Sequence, residues 1–524
     1  MPEAVPQLHP PERRSQGRED ARHPRGLDRF VQRHELSIVL LLCILGAARI
    51  FIFSTAFPMF NNVDEPAHFD LVCVYAQGHM PAQMEKYNPE AVEVLSWYPS
   101  PDYLSPQEAF DQGAAAPPAK EIPPAAAAQM ASATAAAFSS WDNPESTQPP
   151  VYYAVAGAWY RLGKLLGFSD IRLAYWTRWL NVLIYGLLVW TAYACIRRLY
   201  PGNLALRIGV PLLVAFFPQD VFYGINNDVM SPLLFTAAFY SLLRVCTEGS
   251  KSRLFHLVTG LSVAAAFLVK VSNVTIFLPL GLVLITVLRK ARAEGRLRKA
   301  LPGTGLMVLA AVAPVALWMA RNYSTLGDLT GAADKITLLG WTYKPLAEVF
   351  HHPVFSPAGA WVFLSELIAW FWRGEYVWRL IPIAMPACDL FYVLTTLAFV
   401  GAAVAALLGR RERRPADERY AGWMGVAVLA ASVMMMLVLS IMFDFGGCYY
   451  PSAEFPFFVS GRLIVGAVVP FMILYVTGLD YLMARLRLNV SRLWVLLAIV
   501  VLITGCETAL SLKVFASPYN WFHL

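Results

Sequence analysis

Apolar runs of about 20 residues, parted by short polar intervals, repeat along most of this 524-residue chain. A run of that length is what a helix needs to cross the roughly 30 Å hydrocarbon core of a bilayer. Such runs predict eleven membrane helices, at 36–57, 173–196, 204–219, 229–246, 254–269, 272–288, 302–320, 388–409, 421–443, 462–483 and 493–513. The two around Lys270 are short, with one re-entrant unit as the alternative to two spans. Residues 151–167 are also apolar but rich in Tyr and Trp, which favour the membrane interface. They predict a helix lying in that interface, and the aromatic stretch from Trp361 to Trp372 predicts another.

The polar intervals set the sidedness. Arg197-Arg198, Lys251 to Arg253, Arg289 to Lys299, Arg410 to Arg419 and Arg485 to Arg492 all fall on one side of an eleven-span chain, and each is basic. Basic loops stay in the cytoplasm. Counting 151–167 as a span would put Arg197-Arg198 outside. The expected layout is therefore a disordered basic cytoplasmic tail (1–35), a transmembrane domain (36–513) and an outer C-terminal tail (514–524). Two long loops, 58–172 and 322–387, face outward with 444–461. The Ala/Pro-rich stretch 113–138 inside the first is low in complexity and predicts a mobile insertion, not a site.

Composition agrees. Hydrophobic residues make up 57% and charged residues 15%, against about 25% charged in soluble domains. Nucleic acid is excluded as a partner, because the basic residues sit in short clusters between apolar runs. The run from Leu36 is too long for a signal peptide's apolar region, so no cleavable leader is expected. Seven cysteines show no metal-type spacing and predict small core residues. Cys73, Cys388 and Cys448 fall outside, which leaves room for one disulfide.

Chemistry concentrates just after the first span, in Asn-Asn-Val-Asp-Glu-Pro-Ala-His-Phe at 61–69. Charges there sit at the membrane edge, since burial in hydrocarbon costs several kcal/mol. Asp64 reads as a general base or as a helix cap, with Pro66 suited to the first helical turn. Glu65 reads as its partner, orienting a substrate or tuning Asp64 by like charge. His68, four positions on, shares a helix face with Asp64. Asp64, Glu65 and His68 also form a candidate set for a divalent metal cation. Cations at expected helix ends on the same edge are Lys270, Arg321 and Arg462, with Arg373 after the second aromatic stretch. Each suits a phosphate, or snorkels to lipid headgroups. Arg49, inside the first span, predicts a structural partner. His351-His352 is a weak metal pair, since neighbours seldom chelate one ion.

The order of these features resembles the C-type (GT-C) glycosyltransferase superfamily. Val-Asp-Glu-Pro-Ala-His-Phe at 63–69 resembles the Asp-Glu motif after the first helix of protein O-mannosyltransferases. Gln-Pro-Pro-Val-Tyr-Tyr at 148–153 is similar to an element of lipid A aminoarabinose transferases. Asn226-Asn227-Asp228 and Gly461-Arg462-Leu463 resemble an uncharacterised bacterial membrane family usually placed in the same superfamily. The resemblance covers about 36–513 and implies an all-α, GT-C-like polytopic fold in a bacterial cytoplasmic membrane. It implies a sugar passed from a polyprenyl-phosphate donor to a glycan, lipid or protein acceptor outside the cytoplasm. Asp64 and Glu65 would then be catalytic. Arg462, Arg321, Lys270 and Arg373 would hold the donor phosphate, with His68, Tyr152, Tyr153, Asn227 and Asp228 along the substrate groove. The Ala/Pro insertion and the lack of a large domain after the last span depart from that pattern. Competing readings are a transporter or flippase for lipid-linked sugars, a non-catalytic assembly or sensor subunit, and a lipid-linked polymerase or ligase that uses Arg without a carboxylate base.

Overall fold

The computed structural model describes residues 26–118, 121–249, 252–409 and 415–520. The expected tail up to residue 25, Lys251 and the segment 410–414 lie outside them. Among the described residues the protein is an all-α polytopic membrane protein. Nine helices are long and apolar enough to span, or ten if Leu346–Phe355 and Pro357–Arg373, bent by 73°, count as one. Two shorter apolar helices, Leu204–Ala215 and Arg253–Val269, join them. Each of the eleven expected spans coincides with one of the nine or of these two.

The short helices correct the expectation in detail. Leu204–Ala215 has 12 residues, about 18 Å at 1.5 Å per residue, too little to cross the core. It stops before Phe216-Phe217-Pro218, and the tight turn Asp220–Tyr223 follows. At Lys270 the chain is extended (φ −159°, ψ 128°), which separates Arg253–Val269 from Val271–Ile276 and Phe277–Ala293. The two are distinct elements.

Three expectations about the flanks change. Residues Gly26–Arg33, placed in the disordered tail, form a helix. The Ala/Pro stretch is ordered over Pro124–Ser140, because Ala131 and Phe138 give that helix an apolar seam to bury against Pro89–Trp97. The aromatic stretch belongs to Pro357–Arg373, whose Trp372 is fully buried on Tyr392 (centroids 5.2 Å apart) while Trp361 is exposed.

The helix expected over 151–167 is present as Pro150–Leu165. It packs on Glu65–Ala76 closely enough that a Cβ at Gly157 would lie 2.9 Å from the Ala76 nitrogen. Arg49 has the structural partner expected of it. Its guanidinium meets Glu507 at 2.6 Å and Tyr223 at 2.8 Å, and donates to the Phe217 carbonyl. All seven cysteines are free, so the outer disulfide does not form.

Candidate functional site

Leaving the first span, Glu35–Ala56, the chain turns sharply, and Phe60 and Asp64 both adopt positive φ (62° and 61°). Such conformations are uncommon for residues other than glycine. Asp64 occupies the cap position of helix Glu65–Ala76, yet its side chain makes no capping bond. The capping role is therefore not realised. Its carboxylate instead accepts a hydrogen bond from Arg462 Nη2 at 2.8 Å.

Arg462 gathers the rest. Its Nε lies 3.4 Å from Glu375 and its Nη1 3.8 Å from Asp228. Asp228 also pairs with Lys270, and Ser460 donates to Glu375. Gly461 explains why Arg462 can reach so far in. A Cβ there would lie 2.2 Å from the Phe371 nitrogen, so only glycine lets this turn rest on helix Pro357–Arg373. Lys335, from the second long loop, pairs with Glu145. Gln148 ties Glu145 (2.7 Å) to Asn227 (3.1 Å). His68 Nδ1 and the Tyr153 hydroxyl share a 2.7 Å hydrogen bond. Three cations (Arg462, Lys270, Lys335) thus meet four carboxylates (Asp64, Asp228, Glu375, Glu145) at one end of the helix bundle.

Burial alone would raise the Asp64 carboxyl, but Arg462, then Lys335 and His68, hold it far below the usual carboxylate range. Burial likewise opposes Glu145, and Lys335 wins there. Lys335 is itself held up, against burial, by Glu145 and Asp64. His68 falls to about 4 through burial, despite Glu145 and Asp64, and is neutral at pH 7. Asp220, just behind Glu375, is pushed up to about 7 by burial and by that neighbour.

The expected residues divide clearly. Asp64, Arg462, Lys270 and Asp228 come together, with His68, Tyr153 and Asn227 beside them. Glu65 is fully buried and locked to Arg178 by two bonds, 2.7 and 2.6 Å, while accepting from the Ile225 N–H at 2.8 Å. It cannot touch a substrate, so the catalytic expectation for it is corrected. The metal set fails with it. Glu65 turns away, and no group of three or more His, Cys, Asp or Glu among the described residues is placed to hold an ion. Arg321 lies more than a turn inside helix Leu297–Leu326 and donates to the Met80 and Pro81 carbonyls. Arg373 is buried against Asp389 at 2.9 Å. Neither faces the cluster. Tyr152 and Tyr153 are wholly buried and line no groove.

Glu145, Lys335, Glu375 and Arg178 escaped the sequence reading. Glu145 lies three residues before Gln148 of the Pro-Pro element, a signal that was available. Lys335 sits in a short helix, Ala333–Leu338, with nothing in its surroundings to mark it. Of the cluster, Asp64, Lys335 and Arg462 keep the most accessible side chains, at 29%, 30% and 17%. Asp64 also opens on a cavity of about 720 Å³ between helix Pro124–Ser140 and the segment 99–105. The low-complexity insertion is thus a wall of the site.

Residues 43–445 match the family model of a predicted membrane protein family, DUF2142, and the chain belongs to that family. No curated protein matches. Three solved structures of the Archaeoglobus fulgidus oligosaccharyltransferase are similar at 11% identity. The apo form has a TM-score of 0.43, covering 94% of this chain and 57% of that one. The complex with an inhibitory peptide and a dolichol-phosphate gives 0.38, with 93% and 56% covered. The complex with Zn and sulfate gives 0.37, with 69% and 44%. This chain spans about half the length of those proteins.

Proposed function

We propose that this protein is a membrane glycosyltransferase that moves a sugar from a polyprenyl-phosphate donor to an acceptor hydroxyl at the extracytoplasmic edge, with Asp64 as general base. The observation that supports it is the position of Asp64, an accessible carboxylate between a cluster of cations and an open cleft. Asp64 takes the proton from the acceptor hydroxyl as that oxygen bonds to the sugar's anomeric carbon. The bond from that carbon to the phosphate oxygen breaks, and the electron pair leaves with the phosphate. Arg462, Lys270 and Lys335 stabilise the charge that develops there.

The same arrangement gives order to the steps. While Arg462 holds Asp64, the carboxylate is too weakly basic to serve well. A phosphate competing for Arg462 relieves that hold and raises the proton affinity of Asp64 when the donor is in place. Asp64→Asn keeps the shape and removes the proton acceptor. In vesicles carrying lipid-linked sugars it abolishes transfer while the protein folds and retains lipid as the parent does. Full transfer by Asp64→Asn overturns the assignment.

A further inference from the structure

We infer that the acceptor is a neutral glycan, held in the cleft between helix Pro124–Ser140 and the segment 99–105. The inference rests on the reading of Asp64 as the base, and deepens it.

Charge carries the argument. Among the described residues lining the cleft, Asp64 alone is charged. The 17-residue helix that forms its wall contains no charged residue at all. Lys270, Lys335 and Arg462 are absent from the lining. Asp64 therefore stands at a boundary, with cations on one side and an uncharged space on the other. An anionic acceptor in that space would meet no cation along the lining, only a carboxylate whose charge Arg462 already matches. A cationic one would have a single acid, already paired to Arg462.

The lining suits sugar rings. Tyr87 and Phe138 meet edge to face at 5.3 Å, and Phe138 and Trp141 at 5.2 Å, with Trp141 exposed at the mouth. The C–H faces of a pyranose stack on such rings, while its hydroxyls need partners. Tyr103 and Ser105 on one wall and Thr134 on the other supply hydroxyl groups to the cleft. Tyr103 is near enough to Asp64 and Arg462 to feel both charges. The volume, about 720 Å³, falls within the roughly 300–1,000 Å³ of small-molecule sites. The end of a glycan fits that space. The segment 99–105 is held rigid, since Asp102 accepts from Ser517 at 2.6 Å and pairs with Arg379 at 3.3 Å.

The test uses the full chain in nanodiscs. Saturation-transfer NMR is run with a panel of neutral disaccharides (glucose, mannose and galactose pairs), a sugar phosphate and a neutral tripeptide. The expected result is that a sugar phosphate held by the donor cations, which lie outside the cleft, keeps its signal when the cleft is filled, the peptide gives none, and at least one disaccharide gives a signal. Thr134→Trp, which fills the cleft, removes that signal. Trp141→Ala, on the surface and safe for folding, weakens binding by roughly twofold to tenfold, the worth of one ring contact. No disaccharide bound, binding unchanged in both variants, or a peptide bound in the cleft would each overturn the inference. Binding and catalysis fail separately. Asp64→Asn that transfers nothing but still binds the disaccharide supports both readings. A parent protein that binds the disaccharide, while Asp64→Asn transfers as well as the parent, overturns the base and leaves the glycan cleft standing.

Discussion

Replacing Arg178 tests how the base is aimed. Arg178 has almost no exposed surface and bonds both oxygens of Glu65, at 2.7 and 2.6 Å. It also donates to the carbonyls of Ser54, Phe57 and Pro58, between 2.8 and 3.1 Å. These carbonyls end the first span, so one side chain ties that span to the helix that begins beside Asp64. Arg178→Ala leaves a buried carboxylate with a single backbone donor, Ile225. Breaking one partner of a buried pair costs about 3–5 kcal/mol, a large part of the stability of most domains. Glu65→Gln is milder, because the amide still accepts from Ile225, yet its NH₂ faces the guanidinium. Both variants are purified in detergent, and the folded fraction after heating is followed by fluorescence-detected gel filtration. Both should lose heat resistance, Arg178→Ala more, while surviving molecules bind polyprenyl phosphate normally. Glu65→Gln with parental heat resistance and no transfer would refute the structural role and return Glu65 to catalysis.

Arg462→Ala should weaken binding of a short-chain polyprenyl phosphate by roughly tenfold to a hundredfold, from a charged hydrogen bond of about 1.5–3 kcal/mol. Arg321→Ala and Arg373→Ala should leave that affinity unchanged in titrations, and a loss in either would place the phosphate elsewhere. A cysteine at Gln107 should react with an impermeant thiol reagent in intact cells and one at Lys299 should not; labelling in the opposite sense would invert the protein. Asp220, raised to about 7, ionises later in the folded protein than in the unfolded chain. Stability should therefore fall between about pH 4 and 7, by at most about 4 kcal/mol, and level off above. Asp70, also raised to about 7 by burial, shares that window. Asp220→Asn should flatten its part of the slope in thermal scans, and an unchanged slope would disprove the assignment.

The spans were legible because length and hydropathy are local properties, and a bilayer reads them locally. What the pattern could not show is how a carboxylate is used. Asp64 and Glu65 are adjacent, and one sequence window treats them alike. The positive φ at Asp64 sends one toward Arg462 and the other into the core, where Arg178, over a hundred residues away, was waiting as a partner. Arg462 was found through its Gly-Arg-Leu setting, and Gly461 earns that signal by the close approach it permits. Arg373 and Arg321 were equally basic and equally near the edge. Their neighbours, Asp389 and two loop carbonyls, settle their fate, and no spacing rule contains those contacts. The alanine-rich insertion misled for the opposite reason. Composition suggested mobility, whereas alanine is the best helix former, and Phe138 with Ala131 sufficed to seat it.

Arg462 is where the two halves of the proposed reaction meet. It touches the base directly and is the one cation of the cluster to do so by hydrogen bond among the described residues. Its Nε is buried and has no hydrogen-bond partner there, although Glu375 stands 3.4 Å away. That side of the guanidinium is closed by Glu375, so an incoming anion meets Arg462 on its partly accessible face, where Nη2 holds Asp64. On the proposed mechanism a phosphate oxygen competes with Asp64 for Nη2 and so loosens it. In that proposal donor arrival and base activation are one event, and water reaching Asp64 before a donor would find a carboxylate that Arg462 still holds.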